Sequence, residues 1–393
     1  MRIRRRAVSR AVRGGVLRED RGVNEEIQQR RFAAFRSCER VLSGSRPKSL
    51  RERMAALVSE SDGMYDLDGR VDVYGDGVVR ALEERVAGLL DREGAAFFPT
   101  GTMAQQVALR LWADRSGSQV VAMHPLAHPE VHERRAVSRL TGLHTVWPTT
   151  APRLPTPDEL RSCEERFGTL MLELPLRDAG FVLPSWQELV EAVETVRQFG
   201  ALVHLDGARL WESTVHLGRT LAEISALADS VYVSCYKSLG GLSGALLAGD
   251  EDFVREARVW RHRYGGQLFQ QWPAALSALA GLEHELPRLP GYVAHARTVA
   301  AALAEVPGAR VHPAPPHTHQ FRLWLPYPAV LLTEATLRFA EERGTGLFGF
   351  WDEPGVPGTS VTEVTVGSAA LAWSAQEVTD AVTEFLGLVR TLS

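Results

Sequence analysis

Residues 230–241 read SVYVSCYKSLGG, a short run of mostly apolar and small residues that leads to Lys237 and ends in two glycines. The β-branched and aromatic residues predict a strand, and the glycines predict a turn after it. Lysine occurs elsewhere only at position 48, although arginine is abundant. Because only lysine carries a primary amine that condenses with an aldehyde, Lys237 is the first candidate catalytic residue. The alternative is a lysine that survived a bias toward arginine by chance, and Lys48 is predicted to be an ordinary surface residue.

Composition and charge restrict the class of protein. The chain has 393 residues, of which 45% are hydrophobic and 23% charged, as expected for a soluble globular protein with two packed domains. A net charge of −4 argues against a nucleic-acid partner, and no apolar run reaches the about 18 residues that a membrane span needs. Three scattered cysteines suit neither a disulfide framework nor a zinc site, which favours a cytoplasmic protein without a bound metal.

The first 18 residues contain seven arginines and no acidic residue. Such a segment is compatible with a transit peptide or an RNA-binding arm. It lacks the interleaved aromatic residues of single-strand binders, so we predict a disordered tail or a start codon placed too far upstream.

The middle of the chain alternates short apolar runs with amphipathic stretches, which is typical of a sheet covered by helices on both faces. Helical patterns include Thr102–Ala113, Asp252–Arg263 and Ser185–Phe199, the last with a capping-box signal at Ser185 and Glu188. The predicted fold class is α/β, with a seven-stranded, mostly parallel sheet flanked by helices. The candidate strands are Ala95–Phe98, Gln119–Met123, Leu143–Trp147, Thr169–Leu174, Ala201–Leu205, Ser230–Cys235 and Ala245–Ala248.

After about Pro290 the pattern changes to that of a smaller α+β domain. Its predicted elements are a helix through His295 and Leu303, strands near Gln320–Leu325 and Val361–Val366, and helices over Glu334–Glu342 and Ala375–Leu388. We therefore predict that residues 1–66 form an N-terminal tail and helices that pack on the small domain. Residues 67–289 then form the large domain, and residues 290–393 form the small C-terminal domain.

Two further motifs lie at predicted strand ends. Residues 97–104 read FFPTGTMA and open a helix, so backbone N–H groups and the hydroxyls of Thr100 and Thr102 can hold a phosphate. A helix cap without a ligand is the alternative. Residues 203–211 read VHLDGARLW, and Asp206 ends a buried strand, where a carboxylate needs a cationic partner. That partner is either Arg209, one helical turn further, or the protonated nitrogen of a pyridine ring.

The spacing brings these motifs together. From Asp206 to Lys237 the offset is 237 − 206 = 31 residues, enough for a crossover helix and the next strand. Both side chains then emerge at one sheet edge, near the phosphate turn. A phosphate site, a carboxylate for a pyridinium and a lysine that condenses with an aldehyde together indicate pyridoxal 5′-phosphate (PLP) as the cofactor.

The motifs resemble those of the threonine aldolase and β-eliminating lyase family of fold-type I PLP-dependent enzymes. The resemblance covers about Pro47 to Leu279 and includes YGD (74–76), LE (82–83), TGTM (100–103), LDGARLW (205–211), Lys237 and WRHRYGG (260–266). It implies that Thr100, Gly101 and Thr102 hold the cofactor phosphate. It also implies that Asp206 pairs with the pyridine nitrogen, that Lys237 binds the cofactor covalently, and that Arg209 holds a substrate carboxylate.

In this family a histidine stacks on the cofactor ring and assists proton transfer. His128 matches it, because HPEVHE (128–133) has the family's spacing from histidine to glutamate. His124 and His132 are near enough in sequence to remain alternatives.

Two departures from the family bear on the substrate and the cofactor. Glu363 stands near the position of a second carboxylate-binding arginine and would repel a carboxylate. Either Arg209 acts alone, or Arg322 has taken the role, or the substrate differs from threonine. QLFQ (267–270) stands where the family has a phosphate-binding arginine from the neighbouring subunit.

The resemblance implies a PLP-dependent aldehyde-lyase that cleaves the Cα–Cβ bond of a β-hydroxy-α-amino acid to give glycine and an aldehyde. It further implies a homodimer or homotetramer that takes a small amino acid as substrate. β-Elimination at the same site is one alternative. A PLP-binding regulatory or assembly protein without catalysis is another, although Lys237 and Asp206, whose loss would mark it, are both present.

Overall fold

The computed structural model describes residues 16–353 and 355–393. Residues 1–15, which hold most of the arginine-rich segment, lie outside that part, and so does most of the predicted tail. Among the described residues, none of the helices has the length and apolar character needed to cross a membrane. The same residues contain no group of three or more His, Cys, Asp or Glu side chains suited to a metal ion.

The elements of the described residues are numbered along the chain. The strands are β1 (Arg40–Val41), β2 (Gly94–Phe98), β3 (Val120–Ala122), β4 (His144–Val146), β5 (Thr169–Glu173), β6 (Leu202–Gly207), β7 (Ser230–Ser234), β8 (Ala245–Gly249), β9 (Arg310–His312), β10 (Gln320–Leu325), β11 (Thr345–Gly346) and β12 (Ser360–Thr365). The α-helices are α1 (Val16–Ser37), α2 (Leu50–Ser61), α3 (Val78–Leu90), α4 (Gly101–Ser116), α5 (His128–Val131), α6 (Pro157–Arg161), α7 (Trp186–Gln198), α8 (Thr214–Leu217), α9 (Leu221–Ser225), α10 (Glu251–Arg263), α11 (Trp272–His284), α12 (Leu289–Ala304), α13 (Ala329–Arg343) and α14 (Ala375–Leu392).

Seven strands form the main sheet, in the order β2-β8-β7-β6-β5-β3-β4. β8 runs antiparallel to both of its neighbours, and the other pairs are parallel. All seven predicted strands are confirmed, and their ends lie within two residues of the prediction. The carboxyl ends of β2, β5, β6 and β7 therefore meet at one edge of the sheet.

Helices cover both faces of the sheet, and its inner strands are therefore buried along their whole length. On one face α3, α7 and α11 share a core with Leu205. On the other face α4 and α10 pack beside Tyr232. The predicted capping box of α7 is confirmed: Ser185 Oγ accepts from the N–H of Glu188, and the Glu188 carboxylate accepts from the N–H of Ser185 at 2.7 Å.

The small domain is built on an antiparallel sheet of β12, β10 and β9. α12, α13 and α14 share its core with Phe321, Phe348 and Phe385. β10 coincides with the predicted strand. β9 was not predicted, since it has only three residues, two of them exposed, and adjoins a proline-rich link.

The N-terminal helices contact both domains. α1 packs on α13, and Arg30 forms ion pairs with Glu334 and Glu341, each at 2.7 Å. β1 pairs with β11 in the small domain. α2 lies instead against α11, with Leu57 packed on the large-domain core. The sequence predicted contact with the small domain alone, and the boundaries at residues 66 and 289 stay predictions.

Candidate active site

A cavity of about 270 Å³ lies at the carboxyl edge of the main sheet. The turn after β2, the end of β6 and the turn after β7 enclose it. Six of the eight predicted site residues line it, namely Thr100, Gly101, Thr102, His128, Asp206 and Lys237. The other two, Arg209 and Arg322, lie outside this cavity.

The turn from β2 into α4 forms one wall of the cavity. Thr100 caps the helix, since its hydroxyl oxygen accepts from the backbone N–H of Met103 at 3.2 Å. Gly101 lies so close to Tyr232 that an added Cβ atom would overlap the phenol oxygen. The first N–H groups of an α-helix have no partner within the helix, so those of Gly101 and Thr102 can bind an anion. Capping and anion binding are therefore compatible in this turn.

Asp206 presents a buried carboxylate to the cavity, with only 1% of the residue exposed. Its Oδ1 accepts from the N–H of Ala208 at 3.1 Å. Burial raises the pKa of the Asp206 carboxyl, and the positive charges of Lys237 and His128 oppose that shift. Arg209 does not pair with it in the described structure, and its φ of −132° and ψ of 33° exclude the helical turn that the alternative required. The carboxylate thus lacks a close cationic partner among the described residues.

Lys237 stands in the turn after β7 and is half-buried. Burial lowers the pKa of its ammonium to about 8, and the charge of Arg209 adds to that shift while Asp206 and Glu173 oppose it. At neutral pH a larger fraction of this amine is unprotonated than in a solvated lysine. Lys48, in contrast, has an exposed side chain 3.6 Å from Glu60. The two lysines therefore differ in nucleophilic character.

Three neighbouring histidines have different surroundings. His128 lines the cavity, and its Nδ1 lies 3.5 Å from Glu133 Oε1. The nearby carboxylate of Glu133 raises the pKa of His128, although burial opposes this. Both ring nitrogens of buried His124 contact backbone groups, whereas His132 Nε2 lies 2.7 Å from the carboxylate of Asp178. Of the three, His128 is the one that faces the cavity.

The two predicted carboxylate-binding arginines also differ. Arg209 lines a second cleft of about 850 Å³, which shares Lys237 with the first cavity. The Nε of Arg209 is buried and has no hydrogen-bond partner in the described part of the chain. Arg322 lines neither space: its Nη1 donates to the backbone oxygen of Asp178 at 2.9 Å, and its Nη2 lies 3.6 Å from Glu363. Protein groups already use the guanidinium of Arg322.

Glu363, the departure noted in the sequence, is compensated by arginines. Arg177 lies in the loop after β5, and its Nη2 donates to Glu363 Oε2 at 2.9 Å across the domain boundary. Arg322 approaches the other carboxylate oxygen from β10. The negative charge that would repel a substrate carboxylate is therefore paired within the protein.

Tyr232 and Gln105 are among the other residues of the cavity wall, and neither was predicted as a site residue from the sequence. Tyr232, on β7, places its hydroxyl beside Gly101, but an aromatic residue in a strand gives no signal that separates this position from core packing. Gln105 lies one helical turn after Gly101, a spacing that could have indicated it. Its Oε1 pairs with the ring of His204 at 2.8 Å, and its Nε2 is buried without a partner among the described residues.

Comparison with known proteins identifies the family of this chain. Residues 48–323 match the family described as beta-eliminating lyase. The chain belongs to this family. It is 28% identical over 298 residues to low-specificity L-threonine aldolase 1 of Arabidopsis thaliana, across 70% of this chain and 79% of that protein. It is 32% identical over 225 residues to the low specificity L-threonine aldolase of Escherichia coli K12, across 56% of this chain and 67% of that protein.

Solved structures agree with this placement. A Listeria monocytogenes EGD-E protein, provisionally named an L-allo-threonine aldolase, has a TM-score of 0.83 and 33% identity, covering 93% of this chain and 100% of that one. An Exiguobacterium sp. 255-15 protein, provisionally named an aromatic amino acid beta-eliminating lyase/threonine aldolase, has the same TM-score at 34% identity, with coverage of 93% and 100%. These similarities confirm the predicted family, the fold class, PLP as the cofactor and a PLP-dependent lyase.

The residues that line the cavity are chemically suited to bind PLP. A helix N-terminus without a side chain at Gly101 suits a phosphate, and the buried carboxylate of Asp206 suits a pyridinium. The half-buried amine of Lys237 suits an aldehyde, and the Nε2 of Gln105, which has no partner among the described residues, leaves a donor at the wall.

Proposed function

We propose that this chain cleaves the Cα–Cβ bond of a β-hydroxy-α-amino acid and releases glycine and an aldehyde. One observation carries the proposal: Lys237, Asp206 and His128 face a single cavity at the N-terminal end of α4. The similarity to proteins named low-specificity L-threonine aldolase supports it.

The large domain supplies the residues proposed to hold the cofactor. Thr100, Gly101 and Thr102 would bind its phosphate through backbone N–H groups and hydroxyls. Asp206 would keep its pyridine nitrogen protonated, and the Lys237 amine would hold its aldehyde carbon. PLP, when bound, supplies an electron-withdrawing ring that stabilises the electron pair left on Cα.

His128 is the proposed base. Because Nδ1 faces Glu133, Nε2 is the ring nitrogen left to take the proton of the substrate's β-hydroxyl. The Cα–Cβ bond then breaks and the Cβ–O group becomes the aldehyde. Cα takes up one proton to give glycine, which balances the proton that His128 removed from the hydroxyl. The carboxylate of Glu133 stabilises the imidazolium that forms in this step.

Arg209 is the proposed partner of the substrate carboxylate. It lines the cleft that contains Lys237, and the environment of its buried Nε leaves hydrogen-bonding capacity unused. Arg322 was the other candidate from the sequence, but its guanidinium faces Asp178 and Glu363. We therefore propose that Arg209 acts without Arg322, which makes the hydrogen bonds to the carboxylate depend on one side chain.

Product analysis tests the reaction. The PLP-loaded protein is incubated with L-threonine, D-threonine, L-allo-threonine and phenylserine, and aldehyde, glycine and ammonia are measured. We expect aldehyde and glycine in equal amounts without ammonia. Ammonia with a keto acid would establish β-elimination instead, and no product from any substrate would contradict a lyase and favour a protein that only binds the cofactor.

We also propose that the chain forms a homodimer or a homotetramer in the cytoplasm. Leu50, Met54 and Val58 recur at every fourth position of α2 and are 78%, 64% and 61% exposed, which supports contact with a second copy. Light scattering on the wild type and on Met54→Glu tests this. A monomeric wild type with full activity would contradict it.

A further inference from the structure

Four buried polar side chains form a chain of hydrogen bonds that leaves α4, crosses two strands of the main sheet and returns to α4. Trp112 and Gln105 lie on α4, Ser230 lies on β7 and His204 on β6, and all four are at most 3% exposed. Trp112 Nε1 lies 2.6 Å from Ser230 Oγ, which lies 2.7 Å from His204 Nδ1. His204 Nε2 in turn lies 2.8 Å from Gln105 Oε1. The proposed reaction gives none of these residues a role.

The indole of Trp112 sets the direction of the first two hydrogen bonds. An indole N–H can only donate, so Ser230 Oγ accepts from Trp112. The Ser230 hydroxyl makes only one other hydrogen bond among the described residues, with His204, so its own proton points to Nδ1. If Nδ1 carried a proton instead, the buried hydroxyl proton would have no acceptor, which is costly. Nδ1 of His204 is therefore an acceptor.

The protonation state of His204 then fixes the next hydrogen bond. Burial lowers the pKa of His204 to about 3, and its contact with Ser230 opposes that shift only in part. The ring is therefore neutral at pH 7, and its single proton lies on Nε2 because Nδ1 accepts. Since Nε2–H donates, the atom of Gln105 that faces His204 is the amide oxygen.

The other end of the Gln105 amide is a donor that the protein does not use. Its Nε2 is buried and has no hydrogen-bond partner among the described residues. Gln105 lines the same cavity as Asp206, one helical turn after Gly101. The next residue, Gln106, differs in this respect, because its Nε2 donates to Glu133 at 2.9 Å. Gln105 therefore brings an unpaired amide nitrogen to the cavity wall.

We propose that Gln105 is a further cofactor-binding residue and that the hydrogen-bond chain behind it holds its amide nitrogen toward PLP. The nitrogen would donate to an oxygen of the cofactor, on the phosphate or on the ring. Without the chain, the amide could turn over and present its oxygen, which cannot donate to these acceptors. The inference rests on the cofactor site named in the proposed function, but not on the reaction.

Cofactor affinity tests the donor role. The apparent Kd of PLP is measured by fluorescence titration of cofactor-free wild type, Gln105→Glu and Gln105→Met. Glutamate keeps an oxygen for His204 and replaces only the donor, whereas methionine removes the donor without adding charge. We expect both variants to weaken PLP binding by roughly 10-fold or more, because a hydrogen bond to a charged oxygen is lost. In the matched control, Gln187→Met, an exposed glutamine that pairs with Glu191 is replaced, and PLP affinity should not change.

Wild-type affinity in Gln105→Met would overturn the donor role, since a loss confined to Gln105→Glu would reflect charge repulsion alone. Circular dichroism of the cofactor-free proteins checks that each variant is folded. Pyridoxal, which lacks the phosphate, separates the two acceptors. A smaller loss for pyridoxal than for PLP would support a hydrogen bond to the phosphate, and equal losses would support one to the ring oxygen.

Solid-state NMR of cofactor-free protein with isotope-labelled histidine tests the direction of the chain. The spectrum of His204→Asn identifies the His204 signals by their absence. We expect a neutral ring with its proton on Nε2 across neutral pH, from about 6 to 8. A proton on Nδ1, or titration within that range, would overturn the orientation assigned to Gln105.

These results are independent of product analysis. A protein that makes no aldehyde but binds PLP more weakly in both Gln105 variants would contradict only the proposed reaction. An active lyase whose PLP affinity is the same in wild type and both variants would contradict only the role of Gln105.

Discussion

The cavity at the sheet edge and the charged cluster at the domain boundary differ in how their charges are compensated. In the cluster, defined here as Arg177, Asp178, Arg322 and Glu363, each carboxylate has an arginine nitrogen within 3.1 Å. In the cavity, Asp206 and the Lys237 amine form no close ion pair among the described residues. The boundary cluster is complete without a ligand, and the cavity is not. Uncompensated buried charge, rather than the number of arginines, therefore marks the binding site.

The largest expected effect is that of removing the cavity's amine. Lys237→Ala should lower aldehyde production by at least about 10³-fold, because no other nucleophile replaces a catalytic lysine. Lys48→Ala, the matched control, should retain full activity, since that side chain is exposed and paired with Glu60. The absorbance of bound PLP, recorded in both variants, separates loss of cofactor attachment from unfolding. Equal activity in the two variants would show that the cavity containing Lys237 is not the catalytic site.

Arg209→Ala and Arg322→Ala compare the two regions directly. Loss of Arg209 should lower kcat/KM by roughly 30-fold or more, as expected when a buried charge pair with a ligand loses one member. Loss of Arg322 should change kcat/KM by less than about threefold and should instead lower stability by about 1 kcal/mol, because its contacts lie within the protein. Steady-state kinetics and urea unfolding measure the two quantities. If Arg322→Ala lowered kcat/KM more than Arg209→Ala, the substrate carboxylate would be bound by Arg322 on β10 instead.

The same comparison explains what the sequence could predict. The residues of the cavity follow strands that run in parallel, so spacing and strand pattern were enough to bring Asp206 and Lys237 to one sheet edge. The pairs Arg177 with Glu363 and Arg322 with Asp178 depend on how the small domain docks on the large one. No local pattern records that docking, because the paired residues are far apart in sequence.

A smaller effect is expected from removing the charge of Glu133, which lies beside His128. The carboxylate of Glu133 raises the pKa of this imidazole, so Glu133→Gln should lower it. If His128 acts unprotonated as a base, activity rises with pH through its pKa, and the acidic limb of kcat/KM should move to lower pH in the variant. Glu130→Gln, which alters the same short helix without a contact to His128, should leave that limb in place. A shift in both variants, or in neither, would argue against the imidazole as the group that titrates.

The smallest effect should come from Glu363, although its position suggests conflict with a substrate carboxylate. Its charge is paired with Arg177 and Arg322, and its side chain is 30% exposed, so Glu363→Gln should cost about 1 kcal/mol or less in urea unfolding. The values of kcat and KM should stay within about twofold of wild type, because the cavity's own charges are unchanged. A large fall in KM in this variant would show that Glu363 repels the substrate. The charged cluster would then be part of the substrate site, and the distinction between a complete boundary and an incomplete cavity would no longer hold.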